Sequence, residues 1–340
     1  MKKLLLSAAL SVGLVSGLAA AGQSAGSAVA AEIKPAVVYD LGGRFDKSFN
    51  EGAYNGAERF KKESGIAYRD FEIQNDAQRE QALRNFARRG SNPIVAIGFA
   101  QAGAVEKVAK EFPDTKFTII DMVVDLPNVQ SVVFKEHEGS FLVGILAAMA
   151  AESGKVGFVG GMDIPLIRRF VCGYVQGAKF ANPSVEVYQN MTGNTGAAWN
   201  DPVKGGELAK SQFDRGADVV YHAAGGTGIG VLQAAADAGK LGIGVDSNQN
   251  HLHPGSVLTS MLKRVDVATF DSFDAGKNGT WESGVTVLGL AEGGVGWALD
   301  SNNESLITAE MKAKVAEAEA GIKSGSLSVH DYMSDNSCPN

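Results

Sequence analysis

Cysteine is almost absent from this chain: 340 residues hold two, Cys172 and Cys338. No CxxC pair exists, which excludes zinc ribbons and thioredoxin-type redox motifs. Histidine is nearly as sparse, with five scattered residues. No nucleophile elbow and no Ser/His/Asp or His/Cys set suggests itself, so the common nucleophilic mechanisms lack their groups. Basic charge is short as well: 31 Lys and Arg face 38 Asp and Glu, for a net charge of −7. That balance disfavours nucleic acid and anionic membranes as partners. A phosphate-cradling GxxxxGK[ST] motif is missing. Beyond the N-terminus no run is long and apolar enough to span a membrane, and no segment is of low complexity.

What is present begins with Met1-Lys2-Lys3, an apolar run from Leu4 to about Ala21, and small residues through Ala28-Val29-Ala30-Ala31. A positive start, an apolar middle and an A-x-A site make residues 1–30 a secretory signal peptide rather than a membrane anchor. Cleavage after Ala30 or Ala31 leaves about 310 residues (340 − 30) and removes two lysines and no acids, so the charge becomes −9 (−7 − 2). No cysteine stands near the cleavage site to carry a lipid. The mature chain is therefore expected to be free and periplasmic. In that oxidising compartment Cys172 and Cys338 are expected to form one disulfide, tying the tail to the second half; two reduced thiols are the alternative.

Ten β-rich apolar runs recur: Ala36–Leu41, Tyr68–Gln74, Ile94–Phe99, Phe117–Met122, Val129–Phe134, Lys155–Gly160, Val185–Met191, Asp218–His222, Leu241–Asp246 and Ser256–Met261. Several are apolar throughout, as parallel strands buried on both faces must be. Stretches such as Glu51–Glu63, Ala77–Arg88, Ala102–Phe112 and Lys204–Arg215 separate them with helical spacing. This βαβα alternation predicts an α/β fold with doubly wound parallel sheets. The series restarts near residue 152, after the small-residue helix Gly139–Ala150. Two lobes follow: residues 33–152 plus about 262–290, and residues 153–261 plus about 291–340, joined by three crossings of a hinge.

Ligands of such sheets bind beyond the carboxyl ends of the strands. Asp40, Phe49 and Asn50 fall there, after the first strand. Phe49 and Trp199 occupy equivalent turns of the two lobes and read as two aromatics facing across a cleft, able to sandwich a flat ring. The run Gly225-Gly226-Thr227-Gly228-Ile229-Gly230 fails the dinucleotide fingerprint, because Val231 stands where its third glycine belongs. Its free amides at a helix start can still hold a ligand oxygen. Asp246–Asn250 opens like a calcium loop, but His251 and Val257 occupy its glycine and glutamate positions. His251 and His253 lack a second ligand pair, so no metal and no cofactor are expected. Asp40 and Asp46 could form an acid pair, although binding clefts also carry carboxylates; the chain is not read as an enzyme.

Seven blocks resemble the basic membrane protein family of ABC-importer binding proteins. They are Asp40–Asn50, Phe112–Asp121, Gly139–Gly144, Gly157–Gly161 with Gly173, Tyr174 and Gly177, Gly216–Val220 with Gly225–Gly230, Ile243–Asp246 and Thr259–Lys263. Together they span nearly the whole mature chain. The resemblance implies a type I periplasmic binding protein that closes on a purine nucleoside and delivers it to a membrane permease. It implies that Phe49 stacks on the base and that Asp40, Asn50 and Asp121 meet the base edge. Asp246 and Lys263 then bond the ribose, with the amides of Gly225 and Gly226 adding to them. Lys263 without an arginine cluster disfavours nucleotides.

Two departures keep alternatives open. The lipid-attachment cysteine of the family is missing. Trp199 stands where the family often has phenylalanine, and His222 at a strand end is its rival as the second stacking residue. The larger indole could narrow the site toward a free purine base. A sugar or another flat ring such as a flavin, and less readily an enzyme acting on nucleosides, are the other readings of this fold. The chain is expected to act as a monomer.

Overall fold

The computed structural model describes residues 33–339; the signal peptide expected at 1–30 lies outside the described residues. Each of the ten expected runs holds a strand. Five form one sheet: β1 (Ala36–Tyr39), β2 (Arg69–Glu72), β3 (Ile94–Ala96), β4 (Phe117–Ile120) and β5 (Val129–Phe134). Five more form a second: β6 (Lys155–Met162), β7 (Glu186–Gly193), β8 (Val219–Ala223), β9 (Leu241–Asp246) and β10 (Val257–Lys263). Two short strands, absent from the sequence reading, complete them. β11 (Gly284–Leu288) pairs with β5 in parallel, and β12 (Val295–Trp297) pairs with β10 in antiparallel fashion.

The sheets run β11-β5-β4-β3-β1-β2 and β12-β10-β9-β8-β6-β7, the same order strand for strand. Position β4 of the first lobe thus corresponds to β9 of the second. The chain passes between the sheets after β5, after β10 and after β11. The central strands are sealed from water; every residue of β1, β4 and β8 is buried, which accounts for their apolar runs.

Among the described residues, nine helices lie among these strands: α1 (Phe49–Ser64), α2 (Gln78–Arg88), α3 (Ala102–Glu111), α4 (Glu136–Ala150), α5 (Pro165–Ala181), α6 (Pro202–Asp214), α7 (Gly228–Asp237), α8 (Val265–Asn278) and α9 (Ala309–Ser324). One placement corrects the sequence reading. Helix α4 was assigned to the first lobe, with the boundary near residue 152. It packs instead on α5 and on β10 and β12 of the second sheet, so the first crossing comes right after β5. Glycine makes this contact possible. A Cβ on Gly144 would collide with the Tyr174 carbonyl, and one on Gly177 with the Phe141 carbonyl. The two helices therefore meet backbone to backbone. Cys172 on α5 and Cys338 in the tail are joined, with Cα atoms 5.6 Å apart.

Candidate ligand-binding cleft

The carboxyl ends of β1, β3 and β4 face those of β8, β9 and β10 across a slot. Eighteen residues line it, yet they enclose only about 70 Å³. A narrow slot suits a flat ligand, and entry requires the lobes to part. Phe49, the first residue of α1 after β1, and Trp199, in the turn Gly196–Trp199 after β7, both line it, although their turns are not equivalent as expected, because β7 corresponds to β2 and not to β1. The indole lies against Gly161 at the end of β6, where any side chain would overlap its ring. Leu41, Phe99, Leu166, Ile167 and Phe170 add apolar wall that the sequence reading did not single out.

The polar groups divide by role. Asn50 lines the slot but spends its amide on the loop before it. Its Oδ1 accepts from the Asp40 N–H at 3.0 Å, and its Nδ2 donates to the Asp40 and Gly43 carbonyls. Asp40 Oδ1 accepts from Arg79 Nη1 at 2.6 Å and from the Leu41 N–H at 2.7 Å. Burial pushes the Asp40 carboxyl up, and Arg79 opposes it. Asp46, a further lining residue, accepts the backbone N–H groups of Ser48, Asn50 and Glu51 at the start of α1. Burial raises its pKa to about 7 even against those three bonds.

Asp121 and Asp246 end the equivalent strands β4 and β9, both with left-handed backbone at φ +71° and +63°. Such strain gathers where a side chain must be aimed. Lys263, at the end of β10, lies between them and is only 3% exposed. Its Nζ donates to Asp121 Oδ2 at 2.6 Å. Glu136 Oε1 lies 2.9 Å away without the alignment of a hydrogen bond. Burial works against the Lys263 charge, but Asp121, Glu136 and Asp246 outweigh it and hold the ammonium well above its ordinary pKa. Burial pushes Asp121 up despite the lysine. Asp121 Oδ1 is buried with no hydrogen-bond partner among the described residues, so it is an acceptor available to a ligand.

Direct bonds span the two lobes. Ser48 Oγ donates to Asp246 Oδ2 at 2.6 Å, Ser247 Oγ to the Ser48 carbonyl at 2.8 Å, and Gln249 Nε2 to the Lys47 carbonyl at 3.1 Å. The structure is therefore the closed arrangement.

Of the ten residues expected at the site, the structure brings Asp40, Phe49, Asn50, Asp121, Trp199, Gly225, Asp246 and Lys263 to the one slot. Two fall outside it. His222 is fully buried in β8; its Nε2 meets Gln249 Oε1 at 3.0 Å and its ring packs on Gly228. Burial lowers its pKa to about 4, so it is a neutral core residue and not a rival to Trp199. Gly226 does not line the slot; a Cβ there would meet the Trp199 carbonyl, Asn200 and Asp46. Among the described residues, no group of three or more His, Cys, Asp or Glu is placed to hold a metal ion. None of the helices there is long and apolar enough to cross a membrane.

Comparison with known proteins points one way. The family model described as "ABC transporter substrate-binding protein PnrA-like" matches residues 33–331. The ABC transporter nucleoside-binding protein BmpA of Lactococcus lactis is 33% identical, covering 88% of this chain and 90% of that one. An uncharacterized lipoprotein of Pyrococcus horikoshii is 36% identical over 79% of this chain and 69% of its own. Among solved structures, an ABC transporter solute-binding protein from Aeropyrum pernix superposes with a TM-score of 0.80 at 31% identity, over 87% of this chain and 92% of that one.

Proposed function

This chain belongs to the family of PnrA-like ABC transporter substrate-binding proteins, and we propose that its cleft captures a purine nucleoside. The observation that carries this reading is the pair of aromatics, Phe49 and Trp199, brought from opposite lobes to one slot whose floor holds Asp121, Asp246 and Lys263. The base stacks between the rings, and Asp121 Oδ1 accepts from a base-edge N–H. Asp246 and Lys263 meet the ribose, as an acceptor and a donor suit a vicinal diol. The name of the Lactococcus relative supports the ligand class.

Capture proceeds by hinge closure, which desolvates these polar contacts, and the closed form is handed to the permease. The protein acts as a monomeric carrier, not an enzyme, free in the periplasm. The lipoprotein name of the Pyrococcus relative runs against the free form; the two cysteines of this chain, bonded to each other, favour it. Intact-mass measurement of the exported chain decides between them, because a lipid adds several hundred daltons.

A free purine base is the second reading, favoured by one observation. Lys263 and Asp246 already have protein partners in the closed form, so a ribose would have to displace or share them.

The test is calorimetric and thermal-shift titration of the refolded mature chain with guanosine, inosine, adenosine, their bases, ribose and uridine. A ligand that binds only the folded state raises Tm by mass action. A large shift with one purine nucleoside, lost in Phe49→Ala and Asp246→Ala, supports the proposal. A response to free bases alone selects the second reading. A response to ribose alone, or to nothing, defeats both, and a ligand consumed on incubation defeats the carrier assignment.

A further inference from the structure

Lys263 is the end of a longer chain of charges. Glu136 is buried at the start of α4, and Arg169 Nη1 reaches its Oε2 at 3.0 Å. Arg169 also donates to the Phe134 carbonyl at 2.8 Å, where the chain first crosses between lobes. Its remaining nitrogens, Nε and Nη2, grip both oxygens of Asp331 in the C-terminal tail, each at 2.8 Å. That tail is fastened along one face of α5. Arg169, Cys172 and Gln176 stand three and four residues apart, the spacing that aligns side chains on a helix. Cys172 carries the disulfide to Cys338. Gln176 clasps the His330 backbone, donating to its carbonyl at 3.0 Å and accepting its N–H at 2.8 Å.

Resting on the ligand reading above, we infer that Arg169, anchored by the disulfide-fastened tail, is a positioning residue for Lys263. The reason is charge balance in a buried place. Lys263 faces two carboxylates, Asp121 and Glu136, with one positive charge. Arg169 on the far oxygen of Glu136 takes up part of that demand, although it also answers Asp331. Glu136 then has no need to draw the ammonium away from the cleft, and Lys263 keeps its aim at Asp121 with a proton left for the ligand. Without Arg169, Lys263 alone would answer both carboxylates, and it would be pulled toward Glu136, which lies on the side away from the slot. Neither Glu136 nor Arg169 lines the slot itself, so their influence on the ligand passes through Lys263.

Four proteins test this by calorimetry with the best-binding purine nucleoside and its free base: the natural chain, Arg169→Met, Glu136→Gln/Arg169→Met and Cys172→Ser/Cys338→Ser. Arg169→Met is expected to weaken nucleoside binding about tenfold, the size of a ~1.4 kcal/mol coupling within one ionic network, and to weaken the free base by less, through Asp121 alone. The double variant, which removes a charge of each sign, restores nucleoside affinity. A packing role predicts the opposite, since two changes would harm more than one. The cysteine variant frees the tail and shifts affinity in the direction of Arg169→Met, by less. Equal losses for nucleoside and base, or a double variant worse than the single one, overturn the inference; an unchanged affinity in the cysteine variant overturns the part given to the tail. One further measurement needs no ligand. The ¹⁵Nζ resonance of Lys263, identified by its loss in Lys263→Met, should move in Arg169→Met and return in the double variant. If no purine binds, the functional reading fails by itself, and this resonance still decides the positioning role: a signal unmoved by Arg169→Met overturns it.

Discussion

Replacing Asp46 by asparagine should remove a pH dependence that the natural chain carries. The Asp46 carboxylate accepts three backbone N–H groups at the start of α1, which favours its charged form. It is nevertheless 5% exposed, and Gly225 and Gly226 of the other lobe approach it. Burial is the larger effect and lifts its pKa to about 7. In the unfolded chain the same group titrates near ~3.9. Between those values the folded chain holds a proton that the unfolded chain releases. The group therefore costs nothing below about pH 4, and stability falls as pH rises toward 7. At about 1.36 kcal/mol per pH unit the whole interval corresponds to ~4 kcal/mol. Opening of the cleft rehydrates the carboxylate and offers the chain an escape, so ~1–2 kcal/mol is the visible loss. Asp46→Asn keeps one acceptor oxygen, which Asn supplies about as well as Asp at a helix start, and carries no charge to bury. Urea denaturation of both proteins at pH 5, 6, 7 and 8 measures the difference. The natural chain should lose stability relative to the variant as pH rises from 5 to 8. Parallel stability curves across that range would refute the reasoning, because every other raised carboxylate is common to both proteins.

Phe49→Ala and Trp199→Ala should each weaken binding of the proposed purine ligand by about 1–3 kcal/mol, or ~5- to 150-fold in Kd by calorimetry, with folding intact by circular dichroism. An effect from His222→Gln as large as these would contradict its place in the core. Gly177→Ala drives a methyl group into the Phe141 carbonyl and should cost about 1–3 kcal/mol in urea denaturation; an unaltered midpoint would mean that α4 and α5 do not meet as described. Cys172→Ser/Cys338→Ser opens a link between residues 166 apart in sequence and should cost about 2–5 kcal/mol in the same assay.

Much of this architecture was legible because its signals are long. Fully buried parallel strands such as β1, β4 and β8 read as unbroken apolar runs, and ten of the twelve strands among the described residues overlap the expected runs. β11 is exposed along most of its length and β12 has three residues, so neither leaves such a run. The cleft was legible where topology speaks: Asp40, Asp121, Asp246 and Lys263 each end or follow a strand. Phe99 and Phe170 were not, because a lone aromatic in an apolar segment looks the same whether it faces core or slot. His222 failed for a reason of register. Along β8 the side chains alternate, and the slot is reached only at Ala223 and Ala224, one residue too late. The placement of α4 was not legible because a helix buried on nearly every side shows no single face, and its closest approach to α5 is backbone contact through Gly144 and Gly177.

The charge inventory of the cleft explains why closure should await a ligand. Asp40 has Arg79, and Glu136 has Lys263 and Arg169. Asp121 must share Lys263 with Glu136. Asp46 has only backbone donors, and Asp246 has the Ser48 hydroxyl. The closed form holds these five carboxylates away from water beside three cations, one of which, Arg169, also answers Asp331, and such burial is costly unless further donors arrive. A ligand rich in N–H and O–H groups supplies them without adding negative charge. A phosphorylated ligand would add to the excess that closure already strains against. If the nucleoside reading holds, this surplus of acid predicts that a nucleoside monophosphate binds at least about tenfold more weakly than its nucleoside, a ~1.4 kcal/mol difference, with the gap narrowing at high ionic strength if the repulsion is felt from the mouth of the cleft. Equal affinity for the two would mean that the acid surplus is neutralised by something other than the ligand.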